Sequence, residues 1–352
     1  MSVSEWNIFP DGVMPLVAGP CSAESAQQVL DAARGLYAAG CRVLRAGAWK
    51  PRTRPGCFEG FGEEALKWMK EAKEATGMKT ATEVAGASHV ELALKYGVDL
   101  LWIGARTTGN PFLVQEIADA LAGVDIPVLV KNPMNPDRAL WEGALERLAS
   151  RGVNKVGVIH RGFTPSSKIR YRNDPMWSVA LEFRAANPEI PVFVDPSHMG
   201  GSREYLQALS QRAVDLGFDG LMIESHPDPA AALSDAAQQL TPAALSELLS
   251  NLSFEGGKAA FERSVAELRE KIDLFDEDLL NILSRRIECC REIGRIKKNS
   301  GIEVYQPERW DKVAGNAAEA ASELNLDVDF VAGIFNTIHD YSKEEQTKII
   351  EQ

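Results

Sequence analysis

A chain of 352 residues, 45% hydrophobic and 25% charged, has an ordinary globular composition, and at roughly 150 residues per domain it accommodates about two domains with sizeable cores. With 38 Lys and Arg against 50 Asp and Glu, its formal charge of −12 repels phosphate backbones and anionic lipid, which argues against a general nucleic-acid binder. There is no run of about 18 apolar residues, and the first residues carry neither a basic nor an apolar leader, so a soluble, cytoplasmic protein with no membrane partner is expected.

Short β-rich runs alternate with helical patterns from Pro15 to about Ser250. The runs are 16–18, 43–45, 80–83, 100–103, 128–131, 156–159, 192–195 and 221–224, and helical periodicity follows each, as at 64–75 and 139–149. Eight such units in a domain of this size predict an α/β fold closed as a (β/α)8 TIM barrel, with an open doubly wound sheet as the alternative. No separate regulatory domain is read ahead of it. The paired glycines Gly256 and Gly257 break the pattern, which places a barrel domain at 1–252, a linker at 253–262 and a second domain at 263–352.

In the second domain Val265, Leu268, Ile272, Phe275, Leu279 and Ile282 recur at alternating spacings of 3 and 4, the seam of a long packing helix continuing to Lys298. Pro307 suits the first turn of a second helix, and Asp327 the N-cap of a third running towards Ile350. The tail is therefore expected to be all-α. Its seam continues through Arg286, Cys289 and Ile293, with Lys297 on nearly the same face. A charge in a seam either snorkels, caps a helix end or marks a buried anion site between helices, and all three stay open.

Barrel enzymes carry their chemistry at the C-terminal ends of the strands. There stand Cys21, Arg45, Lys50, Glu83, Arg106, Lys131, Arg161, Asp195, His198 and Glu224. The cations Arg45, Lys50, Arg52, Arg106, Lys131 and Arg161 come from several βα units yet share one rim, which suits a phosphate or carboxylate ligand. Ordinary salt bridges to neighbouring acids are the alternative, and Lys131 alone could serve a Schiff-base aldolase. The five cysteines are odd in number and lack framework spacing, and five histidines are too few for a His-rich centre, so a metal site would borrow a thiolate and carboxylates. Cys21, His198, Glu224 and Asp235 form such a set, suited to Mn²⁺, Fe²⁺, Co²⁺ or Zn²⁺. By spacing alone, Cys21 is equally readable as a small core residue and Asp235 as an exposed helix acid.

The stretches Gly19-Pro20-Cys21-Ser22-Ala23-Glu24-Ser25, Lys50-Pro51-Arg52-Thr53, Gly104-Ala105-Arg106-Thr107-Thr108, Asp195-Pro196-Ser197-His198 and Ala232-Leu233-Ser234-Asp235 resemble, in family order, the 3-deoxy-7-phosphoheptulonate (DAHP) synthases of the shikimate pathway. The resemblance implies a divalent metal on Cys21, His198, Glu224 and Asp235. It places Arg45, Arg106, Lys131 and Arg161 around phosphoenolpyruvate, and Lys50, Arg52 and Thr53 on erythrose 4-phosphate. Lys50 would be the proton donor to the new alkoxide, and Glu83 would handle the attacking water. The chain departs from the family after Lys131, where Asn132-Pro133 stands in place of a common Arg-Gly. The cousin family of 3-deoxy-octulosonate 8-phosphate synthases shares the barrel, phosphoenolpyruvate and the metal position, and remains the alternative for the sugar.

The tail resembles the all-helical chorismate mutases on Leu268-Arg269-Glu270-Lys271-Ile272-Asp273, Arg286, Lys297, Arg309, Ser342 and Gln346. The resemblance implies an intertwined homodimer in which Arg269 crosses from the partner. Cations hold chorismate in its reactive conformer, and Lys297 and Gln346 bond its ether oxygen. Gln306 stands where Asp is usual and Trp310 where Glu is usual, so a tail that only senses ligand and dimerises is the alternative. The combined expectation is a two-enzyme chain, with chorismate or prephenate in the tail inhibiting the barrel.

Overall fold

The computed structural model describes residues 3–51, 56–165, 169–254 and 260–351. Its strands are β1 (Leu16–Gly19), β2 (Val43–Arg45), β3 (Lys79–Val84), β4 (Leu100–Ile103), β5 (Val128–Lys131), β6 (Val156–His160), β7 (Val192–Val194) and β8 (Gly220–Glu224). All pair in parallel, in chain order, and β8 returns to β1, which closes the expected barrel in place of the open sheet.

Successive strand residues face opposite sides, so one parity fills the barrel interior with Val17, Val43, Ala81, Leu100, Trp102, Leu129, Ile159, Phe193 and Met222. The other parity packs outward under the helices with Ala18, Leu44, Leu101, Val130, Val158, Val194 and Ile223. Several helices start where a side-chain cap is available: Ser25 accepts from Gln28 N (3.1 Å), Asp137 from Leu140 N (2.9 Å) and Thr241 from Ala244 N (3.1 Å). At the N-terminal mouth, the 3-10 turn Val3–Trp6 and its continuation bring Trp6 and Phe9 onto Phe193, with ring centroids 6.4 and 5.7 Å away.

The chain divides into two compact units, Met1–Leu274 and Phe275–Gln352, each described here by itself. The tail is all-α as expected. A long helix, Ala260–Ser300, is followed by helices Pro307–Glu323 and Val328–Glu351, the last started by Asp327, whose carboxylate accepts from Phe330 N at 2.7 Å.

The seam of the long helix differs from its expected course. Ile272, Phe275, Leu279, Ile282 and Ile293 are 44–56% exposed and Cys289 is exposed, whereas Ile287, Cys290 and Lys297 are buried. The side chains of Val265 and Leu268 lie outside the described ones. Within the chain, packing thus uses the neighbouring face, one residue on. The physical reason is small size: a Cβ on Gly294 would stand 3.2 Å from Gln346 Cα, so only the Cys290–Gly294 face lets the third helix approach this closely. All five cysteines are free, and among the described residues no helix is long and apolar enough to cross a membrane.

Candidate active site and metal centre

Continuing each inward parity two residues past the apolar layer gives the barrel rim. Val43 leads to Arg45, Ala81 to Glu83, Leu129 to Lys131, Ile159 to Arg161, Phe193 to Asp195 and Met222 to Glu224. On β1 and β4 the inward position is a glycine, and the functional residue comes two further on, Cys21 after Gly19 and Arg106 after Gly104. Both glycines are required by space. A Cβ on Gly19 (φ 153°) would collide with the Arg45 carbonyl, and one on Gly104 would occupy the place of the Glu83 carboxylate.

Cys21, Glu224 and Asp235 each present a ligand-type atom, all within 4.8 Å of one another. The Cys21 thiol donates to Asp235 Oδ2 at 3.0 Å and accepts from Lys50 Nζ at 2.8 Å. His198 Nε2 is 3.7 Å from Glu224 Oε1, while its Nδ1 lies 2.8 Å from Asp195 Oδ2. A carboxylate against Nδ1 sets the ring so that Nε2 faces the cluster, the usual support of a metal-binding imidazole. Sulfur and carboxylate donors around one point, with the His198 imidazole at their edge beside Glu224, fit a borderline divalent ion better than Mg²⁺ or Ca²⁺.

The electrostatics agree with that chemistry. Burial, then Glu224, push the Cys21 thiol well above its ordinary range, with Lys50 working the other way, so the sulfur is a thiol until a cation replaces its proton. Burial alone would raise Asp235, but Lys50, the Cys21 hydrogen bond, His198 and Arg172 outweigh it and hold the carboxyl well below the carboxylate range. In Asp195 and Glu224 burial is likewise outweighed, chiefly by His198, and then by Lys131 in Asp195 and by Arg45 in Glu224; both pKa values fall. Burial lowers the pKa of His198, against the pull of Asp195 and Glu224.

Among the cations, Arg45 NH2 pairs with Glu224 Oε1 (3.2 Å) and Lys131 Nζ with Asp195 Oδ2 (2.9 Å), both pairs nearly fully buried. Lys50 Nζ is 3.8 Å from Asp235. The salt-bridge alternative therefore describes part of this rim. Arg161 differs: it is 6% exposed, its described partners are Asn173 Oδ1 (2.9 Å), Gly162 O (3.2 Å) and Met134 Sδ (3.8 Å), and burial lowers its pKa to about 10. Arg106 is exposed on the following turn and bears electrostatically on Arg161. Glu83 accepts from Trp102 Nε1 at 2.9 Å. Arg52 and Thr53 lie outside the described residues.

Sequence reasoning passed over the uncharged supports. Asn132 bridges β5 and β6, accepting from Arg161 N (2.7 Å) and donating to Gly162 O (2.9 Å), so the unusual Asn132-Pro133 step is a buried clamp. Gln238 donates to Glu224 Oε2 (2.7 Å), and Gln239 accepts from Cys21 N (2.9 Å). Their signal in the sequence was only proximity to Asp235.

In the helical unit Arg286 donates to Ser342 Oγ (2.7 Å), and Lys297, buried, donates to Val304 O (2.6 Å). Gln346 is buried with Oε1 unpartnered among the described residues. Arg286, Lys297, Ser342 and Gln346 thus come from two facing helices of this unit. Arg309 is exposed, and so is Arg269, which lies in the first unit. Trp310 stacks on His339, with centroids 4.0 Å apart.

A closed parallel barrel whose rim gathers cations and ligand-type side chains defines an enzyme of the (β/α)8 class. The chain belongs to the DAHP synthetase I family, whose model matches residues 9–255, and its tail matches chorismate mutase type II over 268–347. It is a DAHP synthase barrel fused to a chorismate mutase domain. A phospho-2-dehydro-3-deoxyheptonate aldolase of Thermotoga maritima is 32% identical over 69% of this chain and 70% of its own. A 2-dehydro-3-deoxyphosphooctonate aldolase of Syntrophotalea carbinolica is 29% identical over 64% of this chain and 84% of its own. The crystal structure of the Thermotoga maritima DAHP synthase superposes with a TM-score of 0.62 at 34% identity, covering 68% of each chain.

Proposed function

We propose that the barrel condenses phosphoenolpyruvate with erythrose 4-phosphate and that the helical domain rearranges chorismate to prephenate. The observation that supports the first reading most is the rim itself: a thiol and two carboxylates brought together, an imidazole beside one of them, and Arg161 and Arg106 on the same rim. A Mn²⁺, Fe²⁺, Co²⁺ or Zn²⁺ ion held by Cys21, His198, Glu224 and Asp235 would supply Lewis-acid polarisation of the sugar aldehyde. Arg45, Arg106, Lys131 and Arg161 bind and orient phosphoenolpyruvate, and Lys50, Arg52 and Thr53 bind the sugar phosphate. Lys50, its pKa raised because Cys21, Glu224 and Asp235 outweigh burial, carries the proton for the alkoxide formed when the enol carbon attacks the aldehyde carbon. Glu83, fixed by Trp102, takes the proton of the water that adds to the carbon bearing the phosphate ester, and inorganic phosphate leaves.

The mutase reaction is pericyclic and needs no nucleophile. Arg286, Arg309 and Ser342 hold the substrate, Arg269 reaches it from a second copy of the chain, and Lys297 with Gln346 stabilises the ether oxygen as charge develops. The exposed stripe Ile272, Phe275, Leu279 and Ile282 supports dimerisation through this domain. The enzyme works in the cytoplasm, and prephenate or chorismate bound in the tail slows the barrel. Paired assays on one metal-defined preparation test this: loss of phosphoenolpyruvate with erythrose 4-phosphate, and loss of chorismate, each with and without prephenate. Both activities, the first slowed by prephenate, are expected. Turnover of arabinose 5-phosphate in place of erythrose 4-phosphate would move the barrel to the octulosonate family, and absent mutase turnover would leave the tail a sensor.

A further inference from the structure

The two halves of the rim are joined by a short segment outside every motif discussed so far. Asn173, 4% exposed, accepts from Arg161 NH1 (2.9 Å) with its amide oxygen, and its amide nitrogen donates to the carbonyl of His198 (2.5 Å). Its backbone N–H donates to Met199 O (3.0 Å). The preceding residue, Arg172, donates to Asp235 Oδ1 (3.0 Å) and to Gln238 Oε1 (2.8 Å), and Gln238 donates in turn to Glu224 Oε2. The far end is pinned by the buried His160 ring, whose Nε2 is 2.6 Å from Pro175 O, and by the bridge between Phe163 and Asp174. One dipeptide therefore contacts the guanidinium beside the anion position and touches three of the four residues read as metal donors, directly or through Gln238.

Groups tied by one hydrogen-bond chain across a close-packed rim transmit a shift of one to the next. We propose that Asn173 and Arg172 are positioning residues that couple the two subsites, so that an enolpyruvyl phosphate on Arg161 draws His198 and Asp235 into place for a divalent cation, and the cation in place sets Arg161 for the phosphate. By linkage the effect is the same in both directions. The inference rests on the proposed metal and phosphoenolpyruvate sites.

The test is Mn²⁺ titration of the full chain, followed by the electron paramagnetic resonance of free Mn²⁺, with and without saturating phosphoenolpyruvate. In the wild type, phosphoenolpyruvate tightens Mn²⁺ binding about tenfold. Asn173→Ala reduces that gain to less than about threefold, the share left to direct charge attraction. Arg172→Ala, at a side chain 47% exposed, leaves the fold intact. It also leaves Arg161 and its Asn173 acceptor in place, so phosphoenolpyruvate affinity without metal is retained while the coupling falls; a merely structural role would lower both. Unchanged coupling in the Asn173 and Arg172 variants, or no coupling in the wild type, overturns the proposal. Failure of the wild type to bind Mn²⁺, or Mn²⁺ binding unaltered by Cys21→Ala, removes the metal reading itself and the tie with it.

Discussion

Most charged residues of the barrel rim are buried and interlocked, whereas the candidate site of the helical unit holds few charges and these are partly exposed. In the rim, Arg45, Lys131, Asp195 and Glu224 are each within 4% of full burial, and every one has an opposite charge at 2.9–3.2 Å. In the helical unit Lys297 is buried against a carbonyl, half-buried Arg286 donates to a hydroxyl, and Arg309 stays exposed. Eight strands converging on one mouth can hold many charges at fixed separations, because each donor is anchored by a different rigid element. Two packed helices cannot, and they leave a flanking apolar stripe uncovered.

The sharpest way to break this contrast is Cys21→Ala. Losing one donor of the set is expected to cost several kcal/mol of transition-state stabilisation, about a thousandfold or more in synthase turnover, with mutase turnover unchanged. Equal loss of both activities would show that the units do not work separately. Arg286→Ala is the counterpart in the tail, with an expected loss of about 10²–10³ in chorismate turnover and unaltered condensation of phosphoenolpyruvate. Leu279→Asp places a charge in the exposed stripe, and sedimentation should then give the mass of one chain where the wild type gives at least two; an unchanged mass would remove the stripe from the dimer interface.

The smallest expected effect concerns pH. Burial lowers the pKa of His160 to about 3 from an ordinary 6.5. Below pH 6.5 the unfolded chain therefore binds a proton that the folded chain refuses, and stability falls progressively as pH drops towards about 3. At pH 5 this share is about 1–2 kcal/mol. His160→Gln keeps a donor for Pro175 and should flatten the loss between pH 7 and pH 5, read by urea unfolding with tryptophan fluorescence. An acid limb as steep as that of the wild type would contradict it.

Most of the barrel was legible because its signal is repetitive. All eight β-rich runs became strands, and the step from Val43 to Arg45 or from Met222 to Glu224 is the alternation of the strand carried past its apolar layer. Asn132, Asn173 and Gln238 were not legible. They act through carbonyls and amides of distant loops, and an uncharged polar residue in a loop has no period to betray it. The helix seam misled for another reason. Its apolar repeat is real, but the intrachain contact follows Cys290 and Gly294, because closeness of approach is set by small side chains.

The aromatic stopper at the lower mouth has a consequence for traffic. With Trp6 and Phe9 closed over Phe193 and the interior filled above them, the barrel is a cup with a single opening. On the proposed reaction, both reactants would arrive, and phosphate and the sugar acid depart, through the same doorway above the rim. A reactant seated deeper would then enter before the other and could not be exchanged while the other sat over it, so the architecture would set the order of binding as a queue.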